Sequence, residues 1–436
     1  MKKILLVGAG AREVAIARKI KMSRHSSALF CVSPTTNPHI SSLCQKYFCI
    51  DLSENKKIVG VAKEVGIDFV VVGPENPLEN GLVDDLEKEK IPCVAPKKSV
   101  AKIETSKAFA RNVLDRCYPE KNPKRKAFRS IDGVVSFLGE LKEGYVIKYD
   151  GLMGGKGVKI SGEHLSSTEN AVDYCKEIIN MGGDFLIEEK LVGEEFSLMS
   201  FCDGKSCAHM PVVQDHKRAF EGDVGPNTGG MGTYSFENHA LPFLFEEEVL
   251  DAQKTNERVL RELKNTTGES FRGVLYGGFM ATKSGVKVIE YNARFGDPEA
   301  MNVLGVLKTD FVDICNHIVD GSLGLLPVEF ENRATVCKYA VPKGYPDAPE
   351  KGFKISCKKT DDKNLFFAAV KEDSGEIFAT GSRTAAYIGI EKTVEAAERV
   401  AESGIQQVSG SLFHRKDIGT KTLIQKRVDN MKKVRQ

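Results

Sequence analysis

The stretch VIKYDGLMGGKGV, residues 146–158, decides how this chain is read. An apolar strand ending near Lys148 runs into a glycine-dense turn and emerges as a second strand. Such a turn can close over a triphosphate. It is not a Walker A loop, because Gly151 and Gly155 have one residue too few between them and Gly157 stands where a Ser or Thr would hold magnesium. A plain glycine-rich hairpin does not account for Lys148 and Lys156 beside the turn.

Upstream, residues 3–7, 28–32, 46–50 and 68–72 read as short buried strands separated by helix-period stretches at 12–22, 53–65 and 78–90. This alternation predicts a doubly wound α/β unit with a parallel sheet. Residues 103–117 read as one helix, followed by a basic, Pro-containing exposed loop or linker over 118–129 with Lys121, Lys124, Arg125 and Lys126. Aromatic residues are not interleaved with these charges, so a solvated surface is expected there rather than a nucleic-acid contact. Downstream, strands are expected at 185–187, 195–202, 273–282 and 286–291, with a charged helix over 246–264. After about residue 327, strands at 335–341, 365–370 and 384–390 and a helix at 394–408 predict a small α+β domain.

Length and charge set outer bounds. The chain has 436 residues, enough for two to four domains, and 62 Lys plus Arg against 60 Asp plus Glu. This balance gives no overall field to attract nucleic acid or a membrane surface, so any anion needs a local site. Apolar runs such as 69–72 are far shorter than the ~20 residues of a membrane span. The start, Met1-Lys2-Lys3 leading straight into a strand, lacks the pattern of a signal peptide. A cytoplasmic protein is expected. Eleven cysteines without a C-x-x-C pair suggest neither a disulfide framework nor a zinc ribbon.

Four further segments carry chemistry. Gly8-Ala9-Gly10-Ala11-Arg12-Glu13 sits where a dinucleotide loop would, but Glu13 replaces the third glycine of the fingerprint and no ribose-binding carboxylate ends the second strand. A phosphate of a smaller ligand near Arg12 and a purely structural turn both fit. Gly73-Pro74-Glu75-Asn76 follows the fourth strand at the edge where open α/β sheets bind ligands, and turn chemistry explains it equally well. Glu188, Glu189 and Glu195 flank a turn between two apolar strands, consistent with a solvated acidic turn or with an adenine hinge. In VIEYNARFGDPE, residues 288–299, strand alternation places Glu290 and Asn292 on one face. Two oxygen donors there suit magnesium together with phosphates and water, and Arg294 can neutralise phosphate charge. QDHKR (214–218) concentrates anion donors and one acid, and GPNTGGMG (225–232) is a hydrogen-bonding loop.

Taken in order, the Gly8 turn, VVGPENPL, SKAFA, VIKYDGLMGGKGV, QDHKR, GPNTGGMG, EYNARFGDPE and HRKDIG resemble the glycinamide ribonucleotide synthetase family of the ATP-grasp superfamily over nearly the whole chain. The resemblance implies an N-terminal α/β domain (1–102), an ATP-grasp domain (103–326) with a lid subdomain at about 123–190, and a C-terminal α+β domain (327–436). It implies ATP and Mg2+ or Mn2+ as cofactors, glycine and 5-phosphoribosylamine as substrates, neither nucleic-acid nor membrane partners, and a monomer or weak homodimer. ATP contacts are implied for Lys107, Lys148, Gly154, Gly155, Lys156, Glu188, Glu189, Leu191 and Glu195, and metal ligation for Glu290 and Asn292. Arg294, Asp297 and Asp215 are implied to place glycine, with Gly10, Arg12, Gly73, Pro74, Glu75 and Asn76 facing the phosphoribosylamine. Two positions depart from the family pattern: Val14 replaces a histidine, and Gly277-Gly278 brings no carboxylate to the metal site.

The implied activity is ligation through glycyl phosphate, in de novo purine biosynthesis. Rival readings are another ATP-grasp ligase, a nicotinamide oxidoreductase, which the broken fingerprint at Glu13 disfavours, and a nucleotide-binding protein without turnover.

Overall fold

Ile4 to Val7 are apolar on both sides of the chain, as a strand covered on two faces must be. In the computed structural model, which describes residues 1–153 and 157–436, they lie in β1 (Lys2–Val7). β1 is the middle of a five-stranded parallel sheet with β2 (Ser27–Ser33), β3 (Lys46–Cys49), β4 (Phe69–Val72) and β5 (Cys93–Val94), in the order β3-β2-β1-β4-β5. Val7 pairs with Val72, so the turns at Gly8 and Gly73 leave adjacent strand ends at the point where the winding reverses.

A four-stranded antiparallel sheet in the region where the resemblance implies a lid, hereafter the lid sheet, contains β6 (Arg125–Phe128), β7 (Tyr145–Tyr149), β8 (Val158–Ile160) and β9 (Phe185–Glu189), in the order β6-β9-β7-β8. It has its own apolar cluster, including Phe128, Phe137, Ile147 and Phe185. A second antiparallel sheet contains β10 (Gly193–Asp203), β11 (Cys207–His209), β16 (Arg272–Thr282) and β17 (Gly285–Asn292). Between β11 and β16 run β12 (Gln214–Asp215), the hairpin of β13 (Arg218–Phe220) and β14 (Val224–Asn227), and β15 (Gly232–Ser235). β12 and β15 pair onward to β18 (Ala334–Pro342), which continues into the C-terminal strands Ala385–Glu391 and Leu365–Phe367. The C-terminal region is thereby stitched into the wall of the central domain, giving a multidomain α/β and α+β architecture with an ATP-grasp core. Among the described residues, no helix is long and apolar enough to cross a membrane.

Three local expectations give way. Residues 103–117 are not one helix: Lys98–Thr105 and Lys107–Cys117 are separated at Ser106, whose hydroxyl caps the second helix by accepting from Phe109 N. The stretch 78–90 is likewise two helices, Glu75–Glu79 and Leu82–Lys88, parted by Gly81 in the left-handed region at φ 78°. Within 118–129, residues Arg125–Phe128 form β6 rather than a loop, paired to β9, and Lys121 is buried beside Asp251.

Candidate functional site

β9 closes the lid sheet and β10 opens the core sheet, with only residues 190–192 between them. The cleft between the sheets has a volume of about 1220 Å³; Arg12 and Glu75 line it from the N-terminal domain, and Arg383 and Arg427 from the C-terminal one.

Lys148 leaves β7 on the face opposite Ile147, so it enters the cleft while its neighbour fills the lid core. Its ammonium meets Glu188 Oε2 at 2.8 Å and donates to the Ile289 carbonyl at 3.1 Å. Arg111 grips the same carboxylate with two bonds of 2.6 and 2.7 Å, and donates to the Val288 and Ile289 carbonyls, both at 2.8 Å. A β-bulge sets this up: Gly278 pairs with Glu290 but Phe279 pairs with Val288, leaving Ile289 unmatched on the edge strand β17. Burial opposes the charge on Glu188, but Arg111 and Lys148 outweigh it and hold its carboxyl at about 2. Both Glu188 oxygens are taken by these two cations, and the residue lines the cleft where the resemblance implies an adenine hinge. Glu189 accepts from Lys124 N at 2.8 Å and, with Leu191 and the exposed Glu195, lines the cleft. Lys107 donates to the Gly151 carbonyl at 2.9 Å, and Asp150 receives Ala108 N and the Ser106 hydroxyl, tying the glycine turn to a helix start. Gly154, Gly155 and Lys156 lie outside the described residues.

Glu290 stands beyond Lys148 on the same wall. Lys217 Nζ lies 3.2 Å from Glu290 Oε1 and is the main reason its carboxyl falls to about 2, with burial opposing and Lys148 and Lys107 adding to the effect. Three lysines therefore surround one ionised carboxylate. The Asn292 amide, oriented by its neighbours, donates to Glu104 Oε1 at 3.2 Å and to the Tyr291 carbonyl, which leaves its oxygen as the available ligand atom. An ionised carboxylate and an amide oxygen on one strand face form a hard-oxygen pair, and the donor set fits a magnesium-like ion.

At the far end, Arg294 pairs with Glu104 at 2.9 Å and Glu75 at 3.4 Å. Burial weakens its hold on the proton, but the two carboxylates overcome this and raise its pKa. Asp297 accepts from the Tyr339 hydroxyl at 2.6 Å and faces Arg383 at 3.2 Å. Arg383 also donates to the Asp297 and Gly229 carbonyls at 2.6 and 2.7 Å, so one C-terminal side chain fixes two loops that line the cleft. Half-buried Asp215 and buried Glu299 form an acidic pair in which desolvation, and for Asp215 the neighbouring Glu299, push the carboxyl groups up. Tyr276 donates to Glu299 at 2.9 Å. Gly230, at φ 111°, lies so close to Asp215 that a Cβ would fall 2.7 Å from its oxygen.

The N-terminal turn differs from a phosphate loop. Glu13 bends back so that its carboxylate accepts from Gly10 N at 2.5 Å and from Arg12 Nε at 2.6 Å. A Cβ on Gly73 would overlap that carboxylate, so the glycine is required by Glu13 itself. Gly10 and Gly73 thus sit behind Glu13, and exposed Asn76 lies off the cleft wall, whereas Arg12, Pro74 and Glu75 line it. The N–H that a dinucleotide pyrophosphate would need is already used.

Sequence models of phosphoribosylglycinamide synthetase match this chain in three parts: the N domain at residues 2–104, the ATP-grasp (A) domain at 105–300 and the C domain at 335–421. The phosphoribosylamine–glycine ligase of Methanosarcina barkeri is 46% identical over 433 residues, covering 99% of this chain and 100% of that protein. The chain belongs to the phosphoribosylglycinamide synthetase family. Another member, the phosphoribosylamine–glycine ligase of Methanocaldococcus jannaschii, is 46% identical over 444 residues, with 99% and 100% covered. The crystal structure of phosphoribosylamine–glycine ligase from Thermotoga maritima superposes with a TM-score of 0.81 at 26% identity, covering 95% of this chain and 99% of that one. Biotin carboxylase from Campylobacter jejuni, at 14% identity and a TM-score of 0.71, covers 99% of this chain and 95% of its own; it shares the fold alone.

Within the phosphoribosylglycinamide synthetase frame, the two departures acquire positions. Val14 is fully buried in an apolar cluster with Ile4 and Leu6, where a valine packs without an unpaired polar atom. Gly278 lies directly opposite Glu290, and a Cβ there would come within 3.2 Å of Glu290 Cγ, so the missing side chain leaves Glu290 its room. Arg111, Lys217, Glu299, Tyr276, Arg383 and Tyr339 were not singled out from sequence. Lys217 and Glu299 lay inside motifs already noted; Arg383 comes from a distant segment without a local signal.

Proposed function

We propose that this chain is an ADP-forming ligase that joins glycine to 5-phosphoribosylamine, giving glycinamide ribonucleotide and phosphate in de novo purine biosynthesis. The observation that carries the reading is the full-length 46% identity to proteins named for this ligation. The cleft supplies the chemistry: Lys107, Lys148 and Lys217 gather about Glu290 at one end, and Arg294, Asp297 and Asp215 stand at the other.

A carboxylate resists attack by an amine because its leaving group would be oxide. Transfer of the γ-phosphoryl group of ATP to a carboxylate oxygen of glycine gives glycyl phosphate and ADP. The amine of phosphoribosylamine then attacks the carbonyl carbon, phosphate departs, and the new amide nitrogen sheds a proton. Bringing an anionic carboxylate to a triphosphate is costly, and Lys107, Lys148, Lys217 and Arg294 offset the repulsion. When bound, Mg2+ or Mn2+ held by Glu290 and Asn292 would neutralise further phosphate charge. Asp215, backed by Glu299, receives the glycine ammonium, whose positive charge restores ionisation to this pair. Arg12, Pro74 and Glu75 face the phosphoribosylamine. We assign the nucleotide base to the connection around Leu191 and the ribose to Glu195, between a lid spanning about 123–190 and the rest of a 103–326 domain. We place the protein in the cytoplasm.

ADP release followed with each substrate omitted tests this reading. Release should require both glycine and phosphoribosylamine; equal release with another amino acid, or without the amine, contradicts it.

A further inference from the structure

The last helix of the chain, Lys421–Arg435, comes from the C-terminal region yet forms part of the wall at the nucleotide end of the cleft. Arg427 meets Glu194 Oε2 at 3.2 Å and Asp223 Oδ2 at 2.5 Å, and Asn430 donates to Glu194 Oε1 at 2.7 Å. One helix therefore holds both oxygens of Glu194. That residue is only 3% exposed and follows Gly193, the first residue of β10 after the hinge. Strand alternation turns the next side chain, the exposed Glu195, to the opposite face of β10, and both glutamates border the cleft.

The same clasp reaches the β13–β14 hairpin. Asp223, at φ 63° in its turn, is also bonded by the buried Arg415 at 2.9 Å, and Arg415 holds Asp417 at 2.7 Å. Two arginines and three carboxylates thus join the C-terminal end, the hairpin and the hinge. Burial pushes the Glu194 carboxyl up, while Arg427 and Asn430 pull it back towards the charged form. The clasp is also incomplete. Arg427 Nε, a donor, and His216 Nε2 are both buried without a hydrogen-bond partner among the described residues. His216 Nδ1 lies 3.2 Å from the Gly232 carbonyl and so carries the proton, which makes Nε2 an acceptor. Of the charged groups acting on His216, Arg427 has the largest effect.

We propose that Arg427 is a positioning residue for the nucleotide: from the C-terminal helix it holds Glu194, and through it the hinge and Glu195, where the base and ribose of ATP bind. Docking of the last helix and nucleotide affinity are then linked. The inference rests on the reading of this cleft as an ATP site. A merely structural clasp would affect folding without separating nucleotide affinity from the rest of the reaction.

The test compares full-length Arg427→Met with Arg435→Met, whose arginine pairs with Glu248 at 2.6 Å and stacks on Phe245, outside the cleft wall. MgADP binding is measured by calorimetry, and KM for ATP and glycine by ADP release. Arg427→Met should weaken MgADP and raise KM for ATP about tenfold, with kcat and KM for glycine changed less than about twofold. Arg435→Met should change none of these. Unchanged MgADP affinity in folded Arg427→Met, or equal weakening in Arg435→Met, overturns the proposal. Should Arg427→Met not fold, Asn430→Ala decides: a weakening of about threefold supports it, and none overturns it. If the natural chain binds MgADP but releases no ADP with both substrates, the ligase reading falls and this one stands; if it binds no MgADP, both fall.

Discussion

Replacing Glu290 with glutamine is expected to lower turnover about a thousandfold, equivalent to about 4 kcal/mol of transition-state stabilisation. Glu290 is an ionised carboxylate that feels Lys217, Lys148 and Lys107 together and is held at about 2 chiefly by Lys217. Glutamine keeps the shape and an oxygen acceptor for Lys217, but removes the charge that a divalent ion needs and leaves the lysines unbalanced before phosphate enters. The fold should survive, because Glu290 and Lys217 each keep about a third of their side-chain surface open to water. Steady-state kinetics across a magnesium titration, beside a thermal unfolding curve, checks both halves. Activity near that of the natural chain would remove Glu290 from the metal assignment.

Arg111→Met should cost about 3–5 kcal/mol of stability, the usual price of breaking a buried ion pair and leaving the other charge behind. Arg111 joins a helix to Glu188 on the lid sheet and to two β17 carbonyls on the core sheet, and both partners of the pair are almost fully buried. Lys148 alone would then have to hold Glu188. The double variant Arg111→Met/Glu188→Gln should recover part of the loss, since no unpaired anion remains. Acid dependence follows with a definite sign. The folded carboxyl of Glu188 is depressed to about 2 from 4.5, so its contribution is complete above pH 4.5 and disappears as pH falls through 2. The double variant should lose less stability over that interval than the natural chain. Urea midpoints at several pH values measure this, and an unchanged midpoint in Arg111→Met would contradict the role given to the triad.

The fold was legible wherever pattern and burial agree. Apolar runs such as 4–7 and 69–72 can only be strands covered on two faces, and the turns that follow them fall at the open edge of the sheet. The residues around Lys148 and Glu290 were legible because their motifs are local. Misreadings came where a local signal pointed away from the tertiary outcome. Pro123 and three successive cations at 124–126 look like a loop, yet β9 supplies hydrogen bonds to β6 and Asp115 pairs with Arg125. Glu13 was legible as a flaw in a dinucleotide fingerprint; that its carboxylate fills the space left by Gly73 depends on a strand some sixty residues away. Glu188 was legible as a cleft residue, but its ion pair was not, because the counter-ion Arg111 lies 77 residues earlier. Arg383 and Arg427 carried no local signal, since their meaning lies entirely in what the C-terminal region is packed against.

The central claim is that this cleft activates glycine by passing it the terminal phosphoryl group of ATP. Glycine labelled with 18O in both carboxylate oxygens tests it by mass spectrometry of the products. Attack by a glycine oxygen on phosphorus, followed by amine displacement of phosphate, carries one labelled oxygen into every phosphate released and leaves the other in the amide. Phosphate without label, formed while glycinamide ribonucleotide accumulates, would contradict the account.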